Sequence, residues 1–308
     1  MDKSVSSHSD KGATLLIAIS AALYGLLAYF GTQLMHAQLS IENMLFWRFL
    51  IAGVWMIAFS LLQNIKQEIK ILPAFRHVFP IFLLGGLCYS GSCGFYFLAT
   101  RYMETGLAMV VFFSYPIIVA FFAIALDRRS ITVSLMIALL IMLFGLWLLK
   151  GQNTQTLSVL GVMYAILAAA SYAMYVFGTR WTANTMSSGM STIIVCLGCA
   201  CTFLILTLIR HTLVIPQGWH DWIYALALGI LATAIPIQLM LEGLKRVSAL
   251  RASVLSSLEP LVTVAMGIAF LGETISVMQT LGCFLILSSA LTIQLQGLPF
   301  KFRSAERG

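Results

Sequence analysis

Two residues stand where this chain can least easily hold them. Glu259 sits in LEPLVTVAMG and Arg48 in FWRFLIAG, each inside a long apolar run. A charge at the centre of a bilayer costs roughly 2.5–3.5 kcal/mol even on lenient insertion scales. A carboxylate there must face protein or a water-filled cavity, which is the usual setting of an ion or solute pathway. Glu259 also precedes Pro260, whose ring removes one helical hydrogen bond and leaves a carbonyl in need of a partner. Arg48 lies about one and a half turns from the nearer end of its run. Its side chain either snorkels to water or meets an anionic group of a solute.

Around these charges the chain offers phenols and hydroxyls. Tyr24 falls in AALYG and Tyr172 in AASYA; small neighbours let helices approach closely while each ring presents an apolar body and a hydroxyl. Tyr89, Ser92 and Tyr96 stand in the glycine-rich LLGGLCYSGSCGFYFLA, with Tyr89 and Tyr96 seven residues apart and so on nearly one helical face. Tyr115 precedes Pro116, Tyr175 follows Tyr172 by three, and Gln238 lies in a later apolar run. The expected solute-binding set is therefore Tyr24, Arg48, Tyr89, Ser92, Tyr96, Tyr115, Tyr172, Tyr175, Gln238 and Glu259. Pro116 and Pro260 are the expected hinges. In this reading Glu259 is the residue on which coupling depends, its proton exchanged as the site opens to each side. Binding a neighbouring helix is the alternative.

Other chemistries lack their residues. The glycines of the third run precede no GK[ST] and follow no strand, so they are neither a P-loop nor a dinucleotide fingerprint. All five histidines (His8, His36, His77, His211, His220) fall in the tail or in loops, away from any acid or thiol cluster that an enzyme would need. The six cysteines lie in apolar segments; Cys196 and Cys199 have a redox or metal spacing but no further ligand pair, and read as small apolar filler. No cofactor or metal is implied, and no enzyme activity.

The elements that must position these residues follow from composition. Of 308 residues 60% are hydrophobic and 9% charged, with mean hydropathy +0.95. That is too little polar surface to cover a soluble globule, so the chain is an integral membrane protein. Ten apolar segments, at 13–35, 43–63, 78–99, 105–126, 131–149, 158–181, 190–209, 221–242, 250–272 and 276–296, are each long enough to cross a bilayer. Counting charges with the N-terminus inside places fourteen Lys and Arg on the cytoplasmic side and three (Arg101, Lys150, Arg210) outside, with Arg48 the eighteenth. This bias sets both termini in the cytoplasm. The net charge of +7 thus belongs to topology, and nucleic acid is excluded as a partner.

The chain also repeats. A shift of 144 residues lays Pro260 on Pro116, Ala252 on Ala108, Val254 on Val110, Ile268 on Ile124 and Gly229 on Gly85. A slip of three is needed further back, where Phe177-Gly178-Thr179 lies on Phe30-Gly31-Thr32. Five spans per repeat is odd, so the second copy enters from the opposite side, giving inverted halves about an axis in the membrane plane. The expected organisation is a tail at 1–12, a first repeat at 13–149, a second at 158–296 and a basic tail at 297–308. The fifth and tenth segments carry no charge before Lys150 and read as peripheral scaffold or a homodimer contact.

The RFLIAG of the second segment, the LEPLVTVAMGIAFLGE stretch from Leu258 to Glu273 and the following Gly282 resemble the drug/metabolite transporter superfamily, in particular its ten-span permeases with two EamA repeats. The resemblance covers roughly residues 13 to 296. It implies an all-α membrane fold of two inverted five-helix repeats, in a cytoplasmic (inner) membrane. It further implies export or exchange of small metabolites, often amino acids, through a central cavity formed by spans one to four and six to nine. The family's LGE ending is present as Leu271-Gly272-Glu273, where capping or a loop salt bridge is the expected role, but the first half reads Leu126-Asp127-Arg128-Arg129. The function expected is a secondary transporter of a small organic solute working by alternating access in the lipid bilayer. A channel or facilitator is the alternative, and a membrane enzyme a more distant one.

Overall fold

The computed structural model describes residues 3–62, 75–115, 117–119, 121–122, 133–149, 158–179, 186–244, 255–256 and 258–295, and these form helices joined by turns. Numbered in chain order, the first half holds α1 (Lys3–Gly25), α2 (Leu27–His36), α3 (Ile41–Leu62), α4 (Phe75–Leu83), α5 (Ser90–Ala99), α6 (Thr105–Phe112) and α7 (Val133–Leu149). The second half holds α8 (Val159–Thr179), α9 (Ser188–Ile209), α10 (Trp219–Leu226), α11 (Ile235–Leu244), α12 (Leu258–Phe270) and α13 (Val277–Leu295). Six helical stretches among the described residues are long and apolar enough to cross a membrane: 12–36, 41–62, 75–99, 159–178, 189–209 and 219–240. Shorter apolar helices lie at Thr105–Val119, Met136–Gly145, Leu258–Phe270 and Val277–Ser289. Large apolar side chains such as Leu140, Phe144, Trp147 and Phe284 point outward and are more than half exposed. Such a surface suits lipid, since a soluble monomer rarely shows contiguous apolar patches of this extent.

Two of the helical rods change winding partway. α4 passes into α5 through a π-helical stretch, Leu84–Tyr89, and α10 passes into α11 through another, Ala227–Ala234. A shift of 144 residues carries Leu84 to Leu228 and Tyr89 to Thr233, so both insertions stand at one place in the repeat. The contacts at these stretches repeat as well. A side chain at Gly85 would run into the backbone of Val195, and one at Gly229 into Ile51, and 195 and 51 are again 144 apart. Hydroxyls take up carbonyls that the wider turn frees: Ser90 Oγ donates to Gly85 O (3.1 Å) and Thr233 Oγ1 to Leu228 O (2.8 Å).

Helix pairing is unchanged when the halves are exchanged. α1 packs on α11 as α8 packs on α5, while α3 pairs with α9, α6 with α12 and α7 with α13. The core therefore lies between the halves, along α3, α5, α6, α8 and α9. α7 and α13 mainly cover each other at the periphery.

The expected hinges are only partly visible. Pro116 lies outside the described residues, but just before it Phe113 and Ser114 leave the α-helix for a turn, with Ser114 N–H bonded to Val111 O and Ile117 N–H to Ser114 O. Pro260 is buried in α12.

Candidate functional site

One cavity of about 220 Å³ opens between the two halves. Tyr24, Arg48, Tyr89, Ser92, Tyr96, Tyr115, Tyr172 and Glu259 line it, together with Cys93, Phe112, Met240 and Ser256 among others. Of the expected set, Tyr175 and Gln238 are not on its wall. Tyr175 stands one layer behind, its ring centroid 5.0 Å from Tyr89 and 5.9 Å from Tyr172. Gln238 is half-buried on α11.

Arg48 does not snorkel. It is 2% exposed, its Nε donates to Thr233 Oγ1 at 2.9 Å, and Nη1 lies 3.8 Å from Cys93 Sγ. The Thr233 hydroxyl can accept because its own proton goes to Leu228 O, the carbonyl freed by the π-helical stretch. A guanidinium carries five N–H donors in a fixed fork, so this fixes its position while leaving donors for a ligand.

Glu259 comes from the other half. Its backbone carbonyl accepts from Thr263 Oγ1 (3.1 Å), which also reaches Gly25 O (3.1 Å), tying α12 to the C-terminal end of α1. A side chain at Gly25 would collide with Val262 and with the carbonyl of Glu259, so only glycine lets the break in the first span come this close. Among the described residues the Glu259 carboxylate forms no hydrogen bond or ion pair; the ion pair found there is Arg210 with Glu42, at 3.8 Å.

Aromatic rings build the walls. Phe112, Tyr115 and Tyr172 meet with centroids 4.7–5.7 Å apart, and Tyr89 lies 6.0 Å from Tyr172. Tyr96 is nearly buried; its hydroxyl is within 3.4 Å of Thr105 O, at the start of α6.

Beyond the cavity the LGE motif has a visible task. Gly272, at φ +70°, turns the chain after α12 so that Glu273 folds back over Gly267. Its carboxylate accepts from Thr105 N–H and Thr105 Oγ1 (both 2.6 Å) and from Gly106 N–H (3.2 Å). An acid of the second half thus caps a helix of the first, the favoured sign at an N-terminus. Glu104 returns the contact, its Oε1 accepting from Thr274 N–H at 3.2 Å. Burial pushes the Glu104 carboxyl pKa up, and the nearby Glu273 charge adds to the rise.

Sequence reasoning missed Thr233, Ser256, Cys93 and the apolar wall residues Phe112 and Met240. Ser256 was findable, since it precedes Glu259 by three residues and shares its helical face. Thr233 was not, because its role depends on the π-helical turn.

Comparison with known proteins agrees with this geometry. The family model described as "EamA-like transporter family" matches residues 11–150 and again 159–295. The uncharacterized transporter YcbK of Bacillus subtilis (strain 168) is 27% identical over 65% of this chain and 66% of its own length. The uncharacterized transporter YwfM of the same organism is 29% identical over 74% and 76%. The threonine/homoserine exporter RhtA of Escherichia coli (strain K12) is 29% identical over 68% of this chain and 67% of its own. A solved crystal structure, 20% identical and covering 92% of this chain and 96% of that one, superposes with TM-score 0.63, which shows a shared fold. With a family match over both of its halves and relatives that are transporters and not enzymes, the chain belongs to the EamA-like transporter family.

Proposed function

We propose that this protein is a secondary transporter of a small organic solute, an amino acid or close relative, exported or exchanged by alternating access. The observation that carries this is a cavity at the seam of the two halves, lined by one cation and one acid, each from a different half. A site at the interface of repeats, reached from either side as the halves rock, is how such folds move solutes. Ten spans in two inverted repeats, 13–149 and 158–296, accommodate the six long and four short apolar helices. The charge bias supports a cytoplasmic placement of both termini in an inner membrane. The amino-acid reading draws on the RhtA relatives, whose solutes are threonine and homoserine.

The experiment is uptake into proteoliposomes from a pool of labelled metabolites, with and without an imposed pH gradient. Saturable uptake with counterflow of a preloaded solute is expected. Non-saturable flux would make it a channel, and chemical conversion of a pool member would make it an enzyme.

A further inference from the structure

Arg48 and Glu259 reach one cavity from opposite halves without forming an ion pair among the described residues. Among the described residues no carboxylate lies within ion-pair distance of Arg48, and the hydrogen bonds of Glu259 run from its backbone. Two opposite charges held apart in a mostly apolar, aromatic chamber make a site that is satisfied only when both are met. A solute with a single charge would leave the other buried group without a partner, a costly arrangement. A solute with both charges satisfies the two ends at once.

We propose that the cavity reads its solute as a zwitterion spanning the two halves, with the carboxylate on Arg48 and the ammonium on Glu259. This rests on the amino-acid reading above and adds which residue recognises which end. Thr233 presets the guanidinium from behind, at 2.9 Å, so the fork is oriented before the solute arrives. The rings of Phe112, Tyr115 and Tyr172 line the same cavity and offer an ammonium group aromatic surface that cations favour, in addition to the carboxylate. Because one charge comes from each half, a bound zwitterion ties the halves together across the cavity in a way that neither a simple amine nor a simple acid can.

The test uses the full-length protein in proteoliposomes and counterflow of labelled L-threonine and L-leucine. Three competitors are compared for whichever amino acid gives counterflow: the amino acid itself, its methyl ester, which keeps only the ammonium, and its N-acetyl form, which keeps only the carboxylate. With the unaltered protein both blocked forms should compete at least about tenfold more weakly than the parent. In Glu259→Gln the N-acetyl form should rise to within about threefold of the parent while the ester stays weak, and in Arg48→Gln the ester should rise instead. Should Arg48→Gln fail to fold, Glu259→Gln decides alone: a gain by the N-acetyl form supports the assignment, and no gain overturns it. Counterflow in which both variants weaken all three competitors alike, or in which the unaltered protein does not distinguish them, overturns the assignment and leaves the transport reading standing. Counterflow of neither probe, nor of any of the twenty labelled amino acids, removes the amino-acid reading and the assignment with it.

Discussion

Thr233 is the residue through which the fold acts on Arg48. Its hydroxyl gives its proton to Leu228 O and takes one from Arg48 Nε, so it is filled on both sides. Thr233→Val keeps the volume and removes the acceptor. Solute affinity should fall about tenfold, the scale of a hydrogen bond to a charged group, while Thr233→Ser should restore most of it. An affinity in Thr233→Val equal to that of the unaltered protein would show that Arg48 does not depend on this contact. Tyr89→Ala and Tyr96→Ala address the walls. Each is expected to lower transport more than protein abundance, and parallel losses in both measures would return these rings to packing. At this scale the sequence was informative about charges and phenols, because a charge in an apolar run is conspicuous by its cost. It was silent on Thr233, an ordinary small polar residue until a π-helical turn aims it, and it placed Tyr175 on the wall although that ring backs Tyr89 and Tyr172.

The helix termini and winding changes make a second group of predictions. Glu273 caps α6 across the seam with three hydrogen bonds. Glu273→Ala should cost on the order of 1–2 kcal/mol and lower the melting temperature in detergent. Glu104→Gln behaves oppositely. A raised carboxyl pKa means that ionisation is less favourable in the fold than in the unfolded chain, so this group stabilises most at low pH and that contribution is lost as pH rises from its ordinary value of 4.5 towards the raised one. The glutamine variant, never ionised, should melt at the same or a higher temperature than the unaltered protein at neutral pH and converge with it at acid pH. A lower melting temperature at neutral pH would contradict this. The π-helical stretches give a paired test: Gly85→Ala forces a methyl onto the Val195 backbone, and Gly229→Ala forces one onto the Ile51 Cβ and towards the Arg48 carbonyl, so each should cost roughly 1–3 kcal/mol. An unchanged melting temperature in either variant would mean that its seam is not packed as described. The glycines and their 144-residue spacing were legible beforehand. The π-helical winding was not, because no residue pattern separates it from an α-helix until α4 and α5 are seen against α9.

At the scale of the whole molecule, the exchange of halves that leaves the helix pairing unchanged places the cavity where rocking would alternate its access. The orientation proposed from the charge bias is testable: single cysteines at positions 68 and 303 should be protected from an impermeant thiol reagent in intact cells, and one at position 153 should react. Labelling at 68 from outside would overturn the span order. The membrane-spanning character and the repeat were readable from hydropathy and spacing, since a bilayer fixes segment length. The seam was not, because which faces of many similar helices meet is decided by small residues such as Gly85 and Gly25, and by how closely they let backbones approach. The most direct measurement is the reactivity of Ser92→Cys, on the cavity wall, in a variant with the native cysteines replaced by serine or alanine. An impermeant thiol reagent applied to either side of oriented vesicles should label it, with a saturating transported solute slowing both reactions. Labelling from one side only under all conditions, or at rates the solute does not change, would contradict a cavity that opens to each side in turn.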